Sequence, residues 1–302
     1  MLDKLYGLVT PWAISNKKQI LKNRIIGRLA NYTYPVYCKY NRIQKTVTEK
    51  KKIKIVVSLT TYPLRLKEVY YCLNSLIRQT KRADIIILWL AEEQFPNRER
   101  DVPNEIKNLK QYGLDIRFCK DLRSYKKIFY TAQDYKDSII ITADDDVLYP
   151  EYWIEKLYNT YREYPECVVC FRAHEMLFDK GTILPYRKWN GMAKNVKGPS
   201  LNLMPVGVGG VLYPPYYFSN VEFNDTMIMK LAPTTDDIWL KVIGIINNYS
   251  VVKVDKNSKE WFTIKGTQRI SLKSYNVDTT NANDEALKKF FEYYGLDFKK
   301  FS

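Results

Sequence analysis

The chain has 302 residues, 46% hydrophobic and 27% charged, which is enough apolar side chain for a sizeable core and too much for a disordered chain. It carries 48 Lys and Arg against 33 Asp and Glu, a net charge of +15. Its one histidine, His174, excludes a histidine-built zinc site and a Ser-His-Asp triad. Chemistry therefore falls to carboxylates, lysines, arginines and tyrosines.

The basic excess sits at the start. Residues 1–54 hold thirteen Lys or Arg against Asp3 and Glu49, whereas the other 248 residues carry 35 basic and 31 acidic side chains. Residues 1–52 therefore read as a basic, partly apolar extension, ahead of a single α/β domain over 53–302. Cations alternate there with Leu5, Tyr6, Trp12, Ile20, Leu21, Ile25 and Leu29. That mixture suits an anionic membrane surface, or else a solvated arm packed loosely on the body. No groove-reading motif accompanies the charge, so nucleic acid is not an expected partner.

The first strand is expected at 53–59. Leu66, Val69, Leu73, Leu76 and Ile77 then mark one face of a helix. A second apolar strand spans 84–90, and a short helix follows with Pro103 in its first turn and Gly113 just beyond its end. A third strand is read at 116–119, a helix at 125–135, and a fourth strand at 138–143 running into Asp144-Asp145-Asp146. A helix from Pro150 to Tyr164 and a strand at 167–171 come next. Residues 179–205 show no periodicity, which marks a functional or mobile loop, with 185–203 expected to act as a lid. A strand at 208–213, a helix from 234 to 247, a strand at 250–254 and a helix at 283–294 complete the chain. Apolar strands alternating with amphipathic helices imply a parallel sheet covered on both faces.

Cys38, Cys72, Cys119, Cys167 and Cys170 are odd in number and scattered, which points to a reducing, cytoplasmic compartment. No stretch approaches the ~20 apolar residues of a membrane span, and no cleavable signal pattern opens the chain. The expectation is a cytoplasmic protein, peripheral on the inner face of the plasma membrane if the extension binds lipid.

Asp144-Asp145-Asp146 is the sharpest local feature. Ligands of open α/β sheets bind beyond the carboxyl ends of the strands, and three adjacent carboxylates repel one another unless a cation joins them. Mn2+ or Mg2+ with a bound phosphate would satisfy such hard oxygen donors; an acidic turn capping the next helix is the plainer alternative. Asp236-Asp237 is a second pair, fit either to cap a helix or to take a proton. Gly207-Val208-Gly209-Gly210 lies between the two clusters and allows close backbone approach, or simply a tight turn.

Val57-Ser-Leu-Thr-Thr-Tyr-Pro-Leu-Arg65, Ser75-Leu-Ile-Arg-Gln-Thr80 and the aspartate triplet, taken in order, resemble GT-A fold glycosyltransferases over about residues 53–250. The type is the family 2-like enzymes that build bacterial surface polysaccharides. The resemblance implies a Rossmann-like, mostly parallel sheet with helices on both faces. It also implies inverting, metal-dependent transfer of a sugar from a nucleotide-diphosphate donor, UDP-linked, to a hydroxyl of a lipid-linked or oligosaccharide acceptor. Asp144 and Asp146 match the D-x-D site for Mn2+ or Mg2+, with Asp145 in support on the nucleotide. Thr60, Tyr62 and Arg65 match the loop that cradles the nucleotide. Gly209 and Gly210 match the acceptor-side loop, where they also approach the donor. Asp237, with Asp236 beside it, matches the catalytic base.

The chain also departs from the pattern. Leu90-Ala91-Glu92-Glu93 replaces the acidic pair after the second strand, leaving Glu92 as the candidate for base recognition. No Q-x-x-R-W segment is present, which implies a non-processive enzyme. Lys126 and Lys127 are read as point charges for a diphosphate or as surface lysines, and Lys265, Gln268 and Arg269 as phosphate contacts in a closing loop. Cys167 and Cys170 are read as inert buried thiols, and His174 as making a structural hydrogen bond. Two other readings remain: a haloacid-dehalogenase-like phosphotransferase, whose nucleophile motif Asp144-x-Asp146 resembles, and a non-enzymatic basic binding protein.

Overall fold

The computed structural model describes residues 1–11, 14–43, 53–267 and 281–297. Trp12, Gln268 and Arg269, named above, lie outside them.

Seven strands form the central sheet: β1 (Ile55–Thr60), β2 (Ile85–Ala91), β3 (Leu114–Cys119), β4 (Ile139–Thr142), β5 (Val168–Cys170), β6 (Val211–Tyr213) and β7 (Val251–Lys253). Their spatial order is β7-β5-β6-β4-β1-β2-β3. Adjacent strands are parallel except at β6, which runs antiparallel to both β4 and β5. β2 is apolar throughout and β4 nearly so because both faces of the sheet are covered there, whereas the edge strand β3 carries Asp115 and Arg117. Ile55, Val57 and Leu59 point into one core and Val56 into a small cluster with Ile87, Trp89 and Cys119 on the opposite face, as the two-residue strand period demands.

The helices are α1 (Leu2–Tyr6), α2 (Lys17–Tyr40), α3 (Leu66–Ile77), α4 (Asn104–Lys107), α5 (Lys126–Asp134), α6 (Trp153–Glu163), α7 (Asp225–Leu231), α8 (Asp236–Ile246) and α9 (Ala282–Tyr293). Buried side chains of α1, α2, α3 and α6 share one core, and those of α5, α7, α8 and α9 share the other. The molecule is thus the α/β, mostly parallel sheet with helices on both faces that the sequence implies.

Two regions depart from expectation. The described part of the extension is not a loosely attached arm. Leu2, Tyr6, Ile26, Ala30 and Tyr34 lie in the core, and the Tyr6 ring stacks on Phe262 at 4.1 Å. The N-terminal ammonium pairs with Glu151 at 2.8 Å, and Asp3 Oδ1 accepts the Glu151 N–H at 2.6 Å. Residues 179–205 are likewise tied down rather than poised as a free lid. Asp284 Oδ1 accepts the Tyr186 N–H at 2.7 Å, His174 Nδ1 accepts the Met192 N–H at 2.8 Å, and Trp189, Ala193 and Leu203 are buried.

Topology decides where the loops meet. β1, β2 and β4 end at one edge of the sheet, and Ala143 N–H still bonds Ser58 O at 2.9 Å, so Asp144 to Asp146 leave the sheet beside the end of β1. Because β6 is reversed, the glycine turn that precedes it arrives at that same edge.

Candidate active site

The aspartates after β4 face two different cations. Arg65, in the loop after β1, donates from Nη1 to Asp145 Oδ1 at 2.6 Å, and the same nitrogen lies 3.3 Å from Asp146 Oδ2. Its Nη2 donates to the Thr267 carbonyl at 2.8 Å, and the guanidinium sits over the Tyr62 ring, 5.3 Å from its centroid. Thr61 donates to the other oxygen of Asp145 at 2.5 Å. The planar fork and the hydroxyl together fix Asp145 in one orientation.

Lys127, at the start of α5, serves the other side. Its ammonium donates to Asp144 Oδ1 at 2.8 Å and lies 3.4 Å from Asp236 Oδ2. One buried lysine thus joins the two carboxylate clusters that the sequence separates by some ninety residues. Asp237 stands beside them: its Oδ2 accepts the Gly207 N–H at 3.1 Å. A Cβ on Gly207 would come within 3.0 Å of Asp237 Oδ1 and 3.6 Å of Lys127 Nζ, so only glycine leaves the carboxylate this room.

The protonation states follow from crowding and burial. Burial, with Asp144 and Asp145 adding repulsion and Arg65 opposing, pushes Asp146 up to about 7. Burial and the neighbouring Asp236 push Asp237 to about 7 as well, against the pull of Lys127. Burial also raises Asp145, with the adjacent Arg65 opposing. Lys127 pays for its desolvation through Asp144, Asp236 and Asp237, which hold it protonated well above the ordinary lysine value.

Not every candidate joins this cluster. Thr60 donates to the Trp89 carbonyl at 2.9 Å and supports the sheet; its neighbour Thr61 is the threonine on the aspartates. Glu92 is exposed and pairs with Arg98 at 2.6 Å. Gly209 and Gly210 serve packing. The Gly209 carbonyl accepts from the indoles of Trp153 at 2.9 Å and Trp261 at 2.8 Å. Gly210, at φ +86°, would put a Cβ 2.2 Å from the Trp153 ring. Gly207, one turn earlier, is the glycine on the acids. Lys126 pairs with Asp121, and both it and Lys127 are buried rather than surface lysines. Cys167 and Cys170 are free buried thiols, and His174 makes the structural bond described above. Alternating polarity around residues 60 and 61 could have singled out Thr61, since the strand period turns adjacent side chains to opposite sides. Nothing local marks Gly207 over Gly209.

Among the described residues no three His, Cys, Asp or Glu side chains converge on one metal position. The donors nonetheless fit a hard divalent cation. Asp144 and Asp146 offer carboxylate oxygens, and the crowded negative charge on Asp146 is only partly offset by Arg65. Ions such as Mg2+ commonly take one or two protein carboxylates and complete their shell with phosphate and water.

A buried carboxylate cluster, only partly neutralised by Arg65 and Lys127, thus lies at the carboxyl edge of a mostly parallel sheet. Comparison with protein families makes this specific. The model of the glycosyl transferase family 64 domain matches residues 55–297, and the chain belongs to that family. It is a glycosyltransferase. Glycosyl transfer is as the sequence resemblance implied, although the family matched is 64 rather than a family 2-like one, and this membership sets aside the phosphotransferase and non-enzymatic readings. Comparison with curated proteins gives no match. Among solved structures, the chain is similar to the mannosyltransferase PcManGT from Pyrobaculum calidifontis in complex with GDP-Man and Mn2+. Identity is 9% over 88% of this chain and 72% of that one, with a TM-score of 0.47.

Proposed function

We propose that the chain moves a sugar from a nucleotide-diphosphate donor, UDP-linked, to a hydroxyl of a lipid-linked or oligosaccharide acceptor in bacterial surface-polysaccharide assembly. The observation that carries this reading is Lys127, which gathers Asp144 and Asp236 into one cluster at the sheet edge. Asp144 and Asp146 would hold a Mn2+ or Mg2+ ion, which would supply charge neutralisation for the departing diphosphate.

The chain's own residues do the rest. Arg65 and Thr61 orient Asp145 toward the nucleotide, and Tyr62, lying against Arg65, offers it a ring face. Lys127 holds Asp144 in place and adds fixed positive charge where negative charge builds up. Asp237 has one oxygen tied to Gly207, leaving the other to accept the acceptor's hydroxyl proton. A carboxyl held at about 7 is a stronger base than an ordinary aspartate. The acceptor oxygen bonds the anomeric carbon as the bond to the diphosphate breaks, with inversion.

Alanine at Asp146 should abolish manganese-dependent donor turnover while far-UV circular dichroism stays unchanged. Alanine at Asp237 should leave donor binding intact and remove transfer. Surviving transfer, or a product of retained anomeric configuration by NMR, would take Asp237 out of the base role. A thermal-shift series of nucleotide sugars with Mn2+ identifies the donor, because a bound ligand raises Tm by mass action.

A further inference from the structure

Helix α2 has two apolar faces. One carries Ile26, Ala30 and Tyr34, which are buried against the body. The other carries Leu21, Ile25, Leu29, Tyr32, Val36 and Tyr40, each between 49% and 73% exposed. Their three- and four-residue spacing aligns them in one strip along the helix. Single exposed apolar residues are ordinary; an aligned strip is a contact surface.

The charge on α2 itself is of one sign. α2 contains Lys17, Lys18, Lys22, Arg24, Arg28 and Lys39 and no Asp or Glu. A second copy of the chain laid on this strip would bring like charges together. An anionic lipid surface would neutralise them and take up the apolar side chains. Tyrosines such as Tyr32 and Tyr40 suit the headgroup boundary, where a ring can be buried while its hydroxyl stays wet. No helix among the described residues is long and apolar enough to cross a membrane, so contact would be parallel to the surface.

We propose that this face of α2 docks the protein flat on a bilayer of anionic phospholipid. The docked helix is joined to the acid cluster by hydrogen bonds. Asn31 donates to the Thr263 carbonyl at 2.9 Å and accepts the Lys265 N–H at 2.7 Å. Thr263 pairs with Val147, and Ile264 N–H donates to the Asp146 carbonyl at 2.7 Å. Docking therefore sets the height of the acids above the lipid. Presentation of a lipid-linked acceptor to them rests on the function proposed above, whereas docking itself does not.

The test is co-sedimentation of the full chain with phosphatidylcholine vesicles, with and without phosphatidylglycerol. The chain should pellet with the anionic vesicles and be released as salt rises. The double variant Ile25→Asp, Leu29→Asp should lose about tenfold or more in lipid partitioning, since buried carboxylates oppose insertion. Lys22→Glu, Arg28→Glu should weaken binding to the anionic vesicles alone. Both variants should keep the wild-type melting temperature and donor hydrolysis. Three results would overturn docking: a wild-type chain that stays in the supernatant, undiminished pelleting by the Ile25→Asp, Leu29→Asp chain, or a wild-type dimer that this variant dissolves.

Discussion

The two halves of the acid cluster solve the same electrostatic problem differently. On one side Arg65 holds Asp145 and Asp146 through Nη1 and anchors its planar guanidinium through Nη2 on the Thr267 carbonyl, so both terminal nitrogens are committed to named oxygens. On the other side Lys127 is a single point charge between Asp144 and Asp236, with Asp237 close by. The Arg65 half is built for orientation, because a guanidinium imposes direction on its partners. The Lys127 half is built to relieve repulsion, because an ammonium buried among three carboxylates keeps them together without fixing their angles. Positioning a donor and accommodating a moving proton need these two kinds of support.

Replacing Lys127 with Met should break the comparison hardest. It leaves buried carboxylates unpaired, which costs about 3–5 kcal/mol and is readable as a lower urea midpoint, with transfer lost as well. Arg65→Lys keeps the charge but removes the fork. Donor KM should rise roughly tenfold, about 1.4 kcal/mol, with a smaller change in stability. If Arg65→Lys proves as damaging to stability as Lys127→Met, the distinction between the halves fails.

The smallest effect sharpens the Lys127 half through pH. Folding lifts Asp237 from an ordinary carboxylate value to about 7, so the folded chain binds this proton more tightly than the unfolded one. Stability from this group is therefore greatest in acid, falls as pH rises through about 7, and levels off above it. Asp237→Asn removes that penalty. Its Tm relative to wild type should be higher at pH 8 than at pH 5, and parallel Tm curves would show that Asp237 does not titrate here.

The elements were largely legible because each strand and most helices declare themselves by local period. Gly113, at φ +96°, ends the short helical stretch where the sequence places it, and the expected strand and helix bounds around the aspartates fall within a few residues of those observed. α2 was hard to read for a physical reason. A helix with one strip facing the core and another facing outward has apolar residues most of the way round, which blurs the 3.6-residue signal. The site was legible where chemistry is local, as in the triplet and the Asp236-Asp237 pair. It was not legible where contact depends on packing: Thr61 rather than Thr60, Gly207 rather than Gly209 and Gly210, and a buried rather than superficial Lys127.

By itself, the sequence determined the alternation of strand and helix, the carboxylate chemistry and the basic character of the first fifty residues, because burial period and side-chain type are properties of neighbours along the chain. Only the tertiary structure decided that β6 enters backwards between β4 and β5, that α1 and α2 join the core, and that one lysine joins two distant acid clusters. Those outcomes depend on which distant surfaces bury one another best, and a local pattern carries no record of that competition.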